Sequence, residues 1–329
     1  MNKKIIAAAI AASFVAAPVM AESNATIYGK IKQSVDMVDL TGGVDEWQIN
    51  DRNTRIGLKG SEDLGDGLKA IFQIEFNTRA STTGSTGPHI GGSSNVAANR
   101  NTYVGLAGDF GTVLVGRHDT PSNMNQNKNN IFNDTAADLK DGRNNASPFN
   151  WERIDGTIAY VSPSFSGLTA AVAIVPDETQ YNATGGDGLA DHWSGALMYN
   201  NAGLYAGLGY LSLDTPGTAL DEWNLAVNYT MDAFRIGATY EEAERGINND
   251  METWVLHGTY TMGNNVLKAQ YYDSDCDVVN CGSDSWAIGL DHNFSKRTQA
   301  QLVYVDVDAD ANSADTDGSV FSIQMNHSF

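Results

Sequence analysis

A long stretch without a strand pattern, residues 118–153, concentrates ionisable side chains in one part of the sequence. A connection of that length inside a compact domain is usually functional. Charged groups that narrow a water-filled path decide which small ions pass along it. The alternative is an ordinary surface loop with solvated charges. The acids of this segment are Asp119, Asp134, Asp138, Asp141 and Glu152, and its bases include Lys128, Lys140 and Arg143.

Basic side chains on two nearby strand patterns could oppose these acids. In each pattern they occupy the polar positions, opposite isoleucine or leucine. An acidic segment that faces a basic wall would create a transverse field, which orients water and dipolar solutes. The alternative for each base is a solvated charge without a special role. The bases are Lys30 and Lys32 in the first pattern and Arg55 and Lys59 in the second.

Enzyme chemistry has less support in the sequence. No histidine stands in a recognisable nucleophile motif, and no Gly-x-Ser-x-Gly occurs. We therefore expect no catalytic residues, and hydrolysis of lipid or peptide by the purified protein would overturn this expectation. The six histidines are His89, His118, His192, His257, His292 and His327.

The amino terminus predicts export. Two lysines at positions 3 and 4 precede an apolar run over residues 5–19. This is the pattern of a secretory signal peptide, residues 1–21, with cleavage after Ala21. Loss of the two lysines would leave 18 bases against 40 acids, which changes the net charge from −20 to −22. Such an excess of acids argues against nucleic acid as a partner, because nucleic acid is bound by basic surfaces.

The two cysteines of the chain, Cys276 and Cys281, are five positions apart. In an exported chain this spacing predicts a local disulfide, and two thiols alone do not make a zinc site. Acidic runs around Cys276 and over residues 306–310 lack the glycine and the closing glutamate of a calcium loop. We expect no metal site and no cofactor. A looser alternative is that divalent cations bridge these acids to lipopolysaccharide phosphates.

From residue 22 onward, apolar and polar residues alternate with a period of two, which predicts strands with one face of each kind. The connections alternate between short and long, as in an up-and-down antiparallel sheet. The alternation fails where Val303, Val305 and Val307 oppose Leu302 and Tyr304, so the facing of that strand is left open. Sixteen strands are predicted, at about 24–38, 47–60, 67–79, 100–107, 111–117, 155–163, 168–176, 192–200, 203–213, 221–230, 234–243, 252–262, 266–273, 284–294, 298–307 and 318–329.

Aromatic residues are sorted by strand end. Trp193, Trp223, Trp254 and Trp286 are spaced by 30, 31 and 32 residues, each close to a long loop. Phe110, Phe165, Phe234, Phe294 and Phe329 mark the opposite, short-turn ends. Aromatic girdles at both ends are typical of outer-membrane barrels, whereas the core of a soluble sandwich predicts no such sorting.

These patterns together predict a closed sheet. Only a closed sheet satisfies its backbone groups in lipid, and it needs apolar residues at alternate positions only. Sixteen strands are too many for side chains to fill the interior, so a water-filled channel is expected. We therefore predict an all-β fold, a 16-stranded antiparallel transmembrane β-barrel.

Motifs along the whole of residues 22–329 resemble those of Gram-negative general porins, of the type common in gamma- and betaproteobacteria. Singly they are modest, but their order and spacing are specific. They are Ala25-Thr26-Ile27-Tyr28-Gly29, the run from Thr54 to Ala70, Phe110-Gly111-Thr112 with Gly116-Arg117, Arg153-Ile154-Asp155 with the run from Tyr160 to Gly167, and Asn326-His327-Ser328-Phe329.

The resemblance implies a homotrimer in the outer membrane, surrounded by lipid and lipopolysaccharide, with residues 118–153 folded into each pore as a constriction loop. It places Arg55 and Arg117 in the basic wall of the constriction. Relatives often carry a further base on the sixth strand, where this chain has Val161. The resemblance also implies that Phe329 is the signal read by the barrel-insertion machinery.

The function expected from these observations is passive diffusion of small hydrophilic solutes and ions, with a weak cation preference because of the net charge of −22. The alternative is a substrate-specific channel for sugars or phosphate. A sugar channel would line its interior with a run of aromatic residues, and phosphate selection would use a ring of lysine or arginine. Tyr205 and Tyr272 are too few for such an aromatic run.

Overall fold

The structure is a computed structural model that describes residues 23–41, 43, 45–78, 97–139, 153–176, 189–190, 192–213, 220–245, 250–277, 282–309 and 317–329. The predicted signal peptide with its cleavage position Ala21 lies outside these ranges, as do Asp141, Glu152 and Cys281. Cys276, the other half of the predicted disulfide, is not a free thiol. Its pairing with Cys281 stays a prediction.

The described residues form strands almost throughout, with one short helix, α1 (Pro121–Gln126). None of the described helical residues forms a segment with the length and hydropathy of a membrane span. The strands are β1 (Ser23–Leu40), β2 (Glu46–Asp51), β3 (Arg55–Gly65), β4 (Leu68–Thr78), β5 (Ala97–Gly108), β6 (Gly111–Asp119), β7 (Arg153–Val161), β8 (Leu168–Val175), β9 (His192–Asn201), β10 (Leu204–Leu213), β11 (Leu220–Met231), β12 (Phe234–Arg245), β13 (Asp250–Met262), β14 (Asn265–Cys276), β15 (Ser283–Asn293), β16 (Thr298–Ala309) and β17 (Gly318–Ser328).

The sheet closes on itself. Each strand from β3 to β16 pairs antiparallel with the strand that follows it in sequence, and β1 pairs with β17 from Lys30↔Ser328 to Leu40↔Gly318. The segments β2 and β3 both pair with β1 and are separated by residues 52–54, so they form a single interrupted barrel strand. The predicted closed barrel of sixteen antiparallel strands is therefore confirmed.

Two-residue turns join strands at one end of the barrel. The turn residues Asp66 and Gly67 have φ of 50° and 78°, and Ala202 and Gly203 have φ of 49° and 84°. Positive φ at both central positions matches the right-handed twist of the strands that such a turn connects.

The alternation of side chains places apolar groups outside and polar groups inside. On β1, Ile31 and Val35 face outward and are 48% and 43% exposed, whereas Lys32, Ser34 and Asp36 on the intervening positions are buried. This distribution of apolar and polar side chains is the reverse of that in a soluble protein. It fits a barrel with an outer surface in hydrocarbon and a polar interior.

The aromatic residues that mark strand ends lie on the outer face. Trp193, Trp254 and Trp286 are between 42% and 48% exposed, and each packs against a tyrosine of an adjacent strand. At the short-turn end Phe165 and Phe234 are more than half exposed. Amphipathic rings at this position sit at the level of lipid headgroups.

Candidate functional site

Residues 120–139, here called the inner segment, follow β6 and lie against inward-facing side chains of the barrel. The segment begins at Thr120, which caps α1 by accepting a hydrogen bond of 3.1 Å from the Asn123 amide. Pro121 stands in the first helical turn, where its missing N–H costs no hydrogen bond. Most of the segment is buried, so its place is fixed by tertiary contacts.

The first half of the inner segment binds the wall formed by β9 to β12 through polar side chains. Ser122 Oγ donates to Glu222 Oε1 at 2.8 Å, and Asn125 Nδ2 donates to the Gly207 carbonyl at 2.9 Å. Gln126 Nε2 donates to Glu222 and also to Glu241. Both carboxylates are almost completely buried, so these bonds also satisfy groups that would be costly to bury alone.

The middle of the inner segment is anchored by an aromatic ring. Phe132 is completely buried and packs with Ala136 and Ala137 of the same segment against an apolar strip of the wall. The wall residues of this cluster are Val38, Ala287, Val303, Val305, Val307 and Val320. The inner face of β16 is therefore apolar because the inner segment covers it, which explains why its alternation fails in the sequence.

In its far part the inner segment forms ion pairs with the opposite wall through Asp134. Asp134 Oδ2 lies 2.8 Å from Lys32 Nζ and 3.3 Å from Arg55 Nη1, and its other oxygen accepts from Asn53 Nδ2 at 3.1 Å. Gln324 Nε2 of β17 donates to the Asp134 carbonyl. The acid and the two bases come together from positions about 80 to 100 residues apart in the sequence.

Burial by itself would raise the pKa of the Asp134 carboxyl. The charges of Lys32 and Arg55 outweigh that effect and hold the pKa of Asp134 below its ordinary value. The carboxylate is therefore ionised at neutral pH, and it neutralises only one of the two bases beside it.

The other predicted bases form no ion pair with Asp134. Lys30 is on the inward-facing positions of β1. Lys59 Nζ lies 5.0 Å from the centre of the Tyr28 ring, as in a cation–π contact. Arg117 stands at a β-bulge and forms an ion pair of 3.1 Å with Asp155, which is mostly exposed.

The other predicted acids that the structure describes have different partners. Asp119 forms an ion pair of 2.9 Å with Arg153 and accepts from Asn101. Asp138 accepts from Asn130 Nδ2 at 2.8 Å and from the Asp134 amide, so it braces the turn that presents Asp134.

Two inward-facing groups were missed in the sequence. Arg100 lies 2.6 Å from Glu75 across β4 and β5, close enough to contribute to the low pKa of Asp134. The pairing of these strands shifts by a bulge after Ile74, which changes which residues of β5 face inward, so alternation could not place Arg100. Glu222 did leave a signal, because it occupies the polar position next to Trp223.

A cavity of about 270 Å³ separates the inner segment from the wall near Asp134. It is polar throughout and brings two arginines of the wall opposite amides of the inner segment. Its lining residues are Asn53, Arg100, Asn127, Asn133, Asp134 and Arg153. A closed barrel with a polar interior and a polar cavity beside the inner segment has the architecture of a channel protein.

The chain belongs to the Gram-negative porin family, whose sequence pattern matches residues 7–312. It is an outer-membrane porin, and its fold and family are those of a channel rather than an enzyme.

Relatives and solved structures agree with this assignment. The chain is 28% identical over 316 residues to outer membrane porin protein 32 of Delftia acidovorans, covering 91% of this chain and 87% of the relative. It is 26% identical to the major outer membrane protein P.IB of Neisseria lactamica, covering 91% of each chain. The solved structure of an anion-selective porin from Comamonas acidovorans superposes with a TM-score of 0.75, at 26% identity and over 94% of this chain and 100% of that one.

Proposed function

We propose that this protein is a passive diffusion channel for small hydrophilic solutes, constricted by residues 120–139. The observation that carries the proposal is the attachment of the inner segment to two separate walls. Its α1 end binds β9 to β12, whereas Asp134 binds β1 and β3. A segment held at both ends across the lumen would narrow the path, and the polar cavity beside Asp134 leaves room for water and small solutes.

We further propose a weak preference for anions at the constriction. Five bases lie close to the opening, namely Lys30, Lys32, Arg55, Arg100 and Arg153, and four acids lie among them, namely Asp134, Asp138, Glu75 and Asp119. Selectivity in a narrow pore is set by the nearest charges. The anion-selective porin from Comamonas acidovorans supports the same sign.

The weak cation preference expected from the net charge finds no support. Exposed charges that are farther apart than the screening length, about 8 Å at physiological salt, interact only weakly. The excess of acids over bases in the whole chain is therefore a poor guide to the field that an ion meets at the constriction.

Liposome swelling tests the diffusion proposal. Vesicles that contain the purified protein should swell in neutral sugars at rates that fall with solute size and rise linearly with concentration. Organic anions should enter faster than cations of equal size. Saturation by one sugar would instead support a substrate-specific channel, and an absence of swelling would contradict the proposal.

We also propose that the protein works as a homotrimer in contact with lipopolysaccharide, after insertion directed by Phe329. The Phe329 backbone exchanges two hydrogen bonds of 3.1 Å with Gly29, and its ring is 46% exposed at the short-turn end. Light scattering of the protein in detergent should give three times the chain mass. A Phe329→Ala variant should accumulate outside the membrane, and normal insertion would contradict the role of this residue.

A further inference from the structure

A second cavity, of about 170 Å³, lies at the short-turn end of the barrel and is here called the turn cavity. Bases from two distant parts of the chain line it: Lys30 and Lys32 of β1, and Lys296 and Arg297 of the turn between β15 and β16. None of the described residues that line this cavity is an acid.

Three of these four bases have no described acid within ion-pair distance, and the charges of Asp134 and Glu75 act on Lys30 from farther away. Lys32 is paired with Asp134. Within the described part of the chain, the side chains of Lys30, Lys296 and Arg297 form no ion pair or hydrogen bond. Like charges that share a small cavity repel one another, and an anion between them would relieve that repulsion.

The turn that carries Lys296 and Arg297 is held in place by its own hydrogen bonds. Ser295 Oγ accepts from the amides of Arg297 and Thr298, at 3.1 and 3.0 Å. The Arg297 carbonyl accepts from the Ser328 amide at 2.8 Å, which fixes the turn to the last strand. The two bases are therefore attached to an ordered backbone rather than to a free loop.

We propose that the turn cavity is a binding subsite for small multivalent oxyanions of the inorganic phosphate class. The ammonium groups of Lys30 and Lys296 supply point charges, and the planar guanidinium of Arg297 can donate two parallel hydrogen bonds to one oxyanion. The hydroxyls of Ser295 and Ser328 add uncharged donors at its edge. A singly charged anion would satisfy only part of this set.

The subsite rests on the proposed anion preference for its role in transport, because anions that pass the constriction would meet it at the short-turn mouth. Binding itself does not depend on conduction. The two proposals therefore fail separately, one in a binding experiment and the other in a transport experiment.

Calorimetric titration of the purified protein in an uncharged detergent with inorganic phosphate tests the subsite. Wild type should bind phosphate saturably. Lys296→Gln and Arg297→Gln should each raise the Kd for phosphate by about fivefold, as expected for loss of one partly exposed ion pair. Lys69→Gln is the control, because Lys69 is an exposed base near another short turn and does not line the cavity. Phosphate binding that is not saturable, or an equal loss in the control, would overturn the proposal.

A second readout addresses sidedness. In an oriented bilayer, phosphate added at the short-turn side should lower the chloride conductance more than phosphate added at the loop side. The Arg297→Gln variant should lose that difference while it keeps the fold of the barrel. Equal inhibition from both sides in wild type would contradict a subsite at the turn.

Discussion

Asp134 Oδ2 lies 2.8 Å from Lys32 Nζ, and both side chains are largely buried although 102 residues separate them in the sequence. The pair joins the inner segment to the wall on the side away from α1. Arg55 shares the same carboxylate oxygen, so one acid holds two bases. The position of the inner segment and the charge of the opening therefore depend on the same group.

Removal of the Asp134 charge should change selectivity and stability together. Asp134→Asn leaves Lys32 and Arg55 uncompensated beside the opening, so the ratio of chloride to potassium permeability should rise severalfold. The attachment of the inner segment should weaken by about 1.5–3 kcal/mol, the usual contribution of a hydrogen bond to a charged group. Reversal potentials and thermal unfolding of the variant measure the two effects. Asp109→Asn, in an exposed short turn, is the control and should change neither.

The same ion pair predicts a defined pH dependence. Because the pKa of Asp134 is lowered in the folded protein, its contribution to stability is complete above the ordinary pKa of 3.8 and is lost as the pH falls below that value. Conductance and selectivity should stay constant between pH 7 and pH 5 and change below about pH 4. The Asp134→Asn variant should lack this transition. A transition of wild type near pH 6 would show that another group controls the pore.

A single methyl group on the wall should displace α1. A Cβ at Gly207 would overlap Asn125 Oδ1 and approach the Tyr205 hydroxyl, which donates to that same oxygen at 2.6 Å. Gly207→Ala should therefore raise the single-channel conductance and its noise. Gly195→Ala is a matched control in the neighbouring strand β9, because its Cβ would have no neighbour closer than 3.6 Å. Identical traces from the two variants would contradict a close contact between α1 and the wall.

Phe132 should stabilise the attachment of the inner segment to the wall but not the barrel itself. Phe132→Ala removes a completely buried ring, a change that costs about 3–5 kcal/mol in well-packed cores. That loss falls on the attachment of residues 131–137 rather than on strand pairing. The variant should keep its resistance to denaturing detergent, while proteolysis within the inner segment becomes faster. A barrel that loses its detergent resistance would show that the ring stabilises the sheet itself.

The sequence predicted the fold more completely than it predicted the site. Alternation and the tryptophan spacing are local consequences of lipid on one face and water on the other, so Trp193 and Ile31 reveal their facing without any tertiary information. The ion pairs of Asp134 join residues that are 79 and 102 positions apart in the sequence, and no local period encodes such contacts. The inward facing of Arg100 depends on a β-bulge that alternation does not reveal. The inner face of β16 is apolar because it packs against Phe132, and that contact is tertiary.

The measurement that tests the central claim most directly is the zero-current potential of the purified protein in a planar bilayer, under a tenfold gradient of potassium chloride at pH 7. Because bases outnumber acids at the constriction, chloride should permeate faster than potassium. The zero-current potential should therefore have the sign of an anion-selective channel. Replacement of Arg100 by Gln should move that potential toward zero. A wild-type potential of the opposite sign, unaffected by Arg100→Gln, would contradict the claim that the charges around the inner segment set the selectivity of this porin.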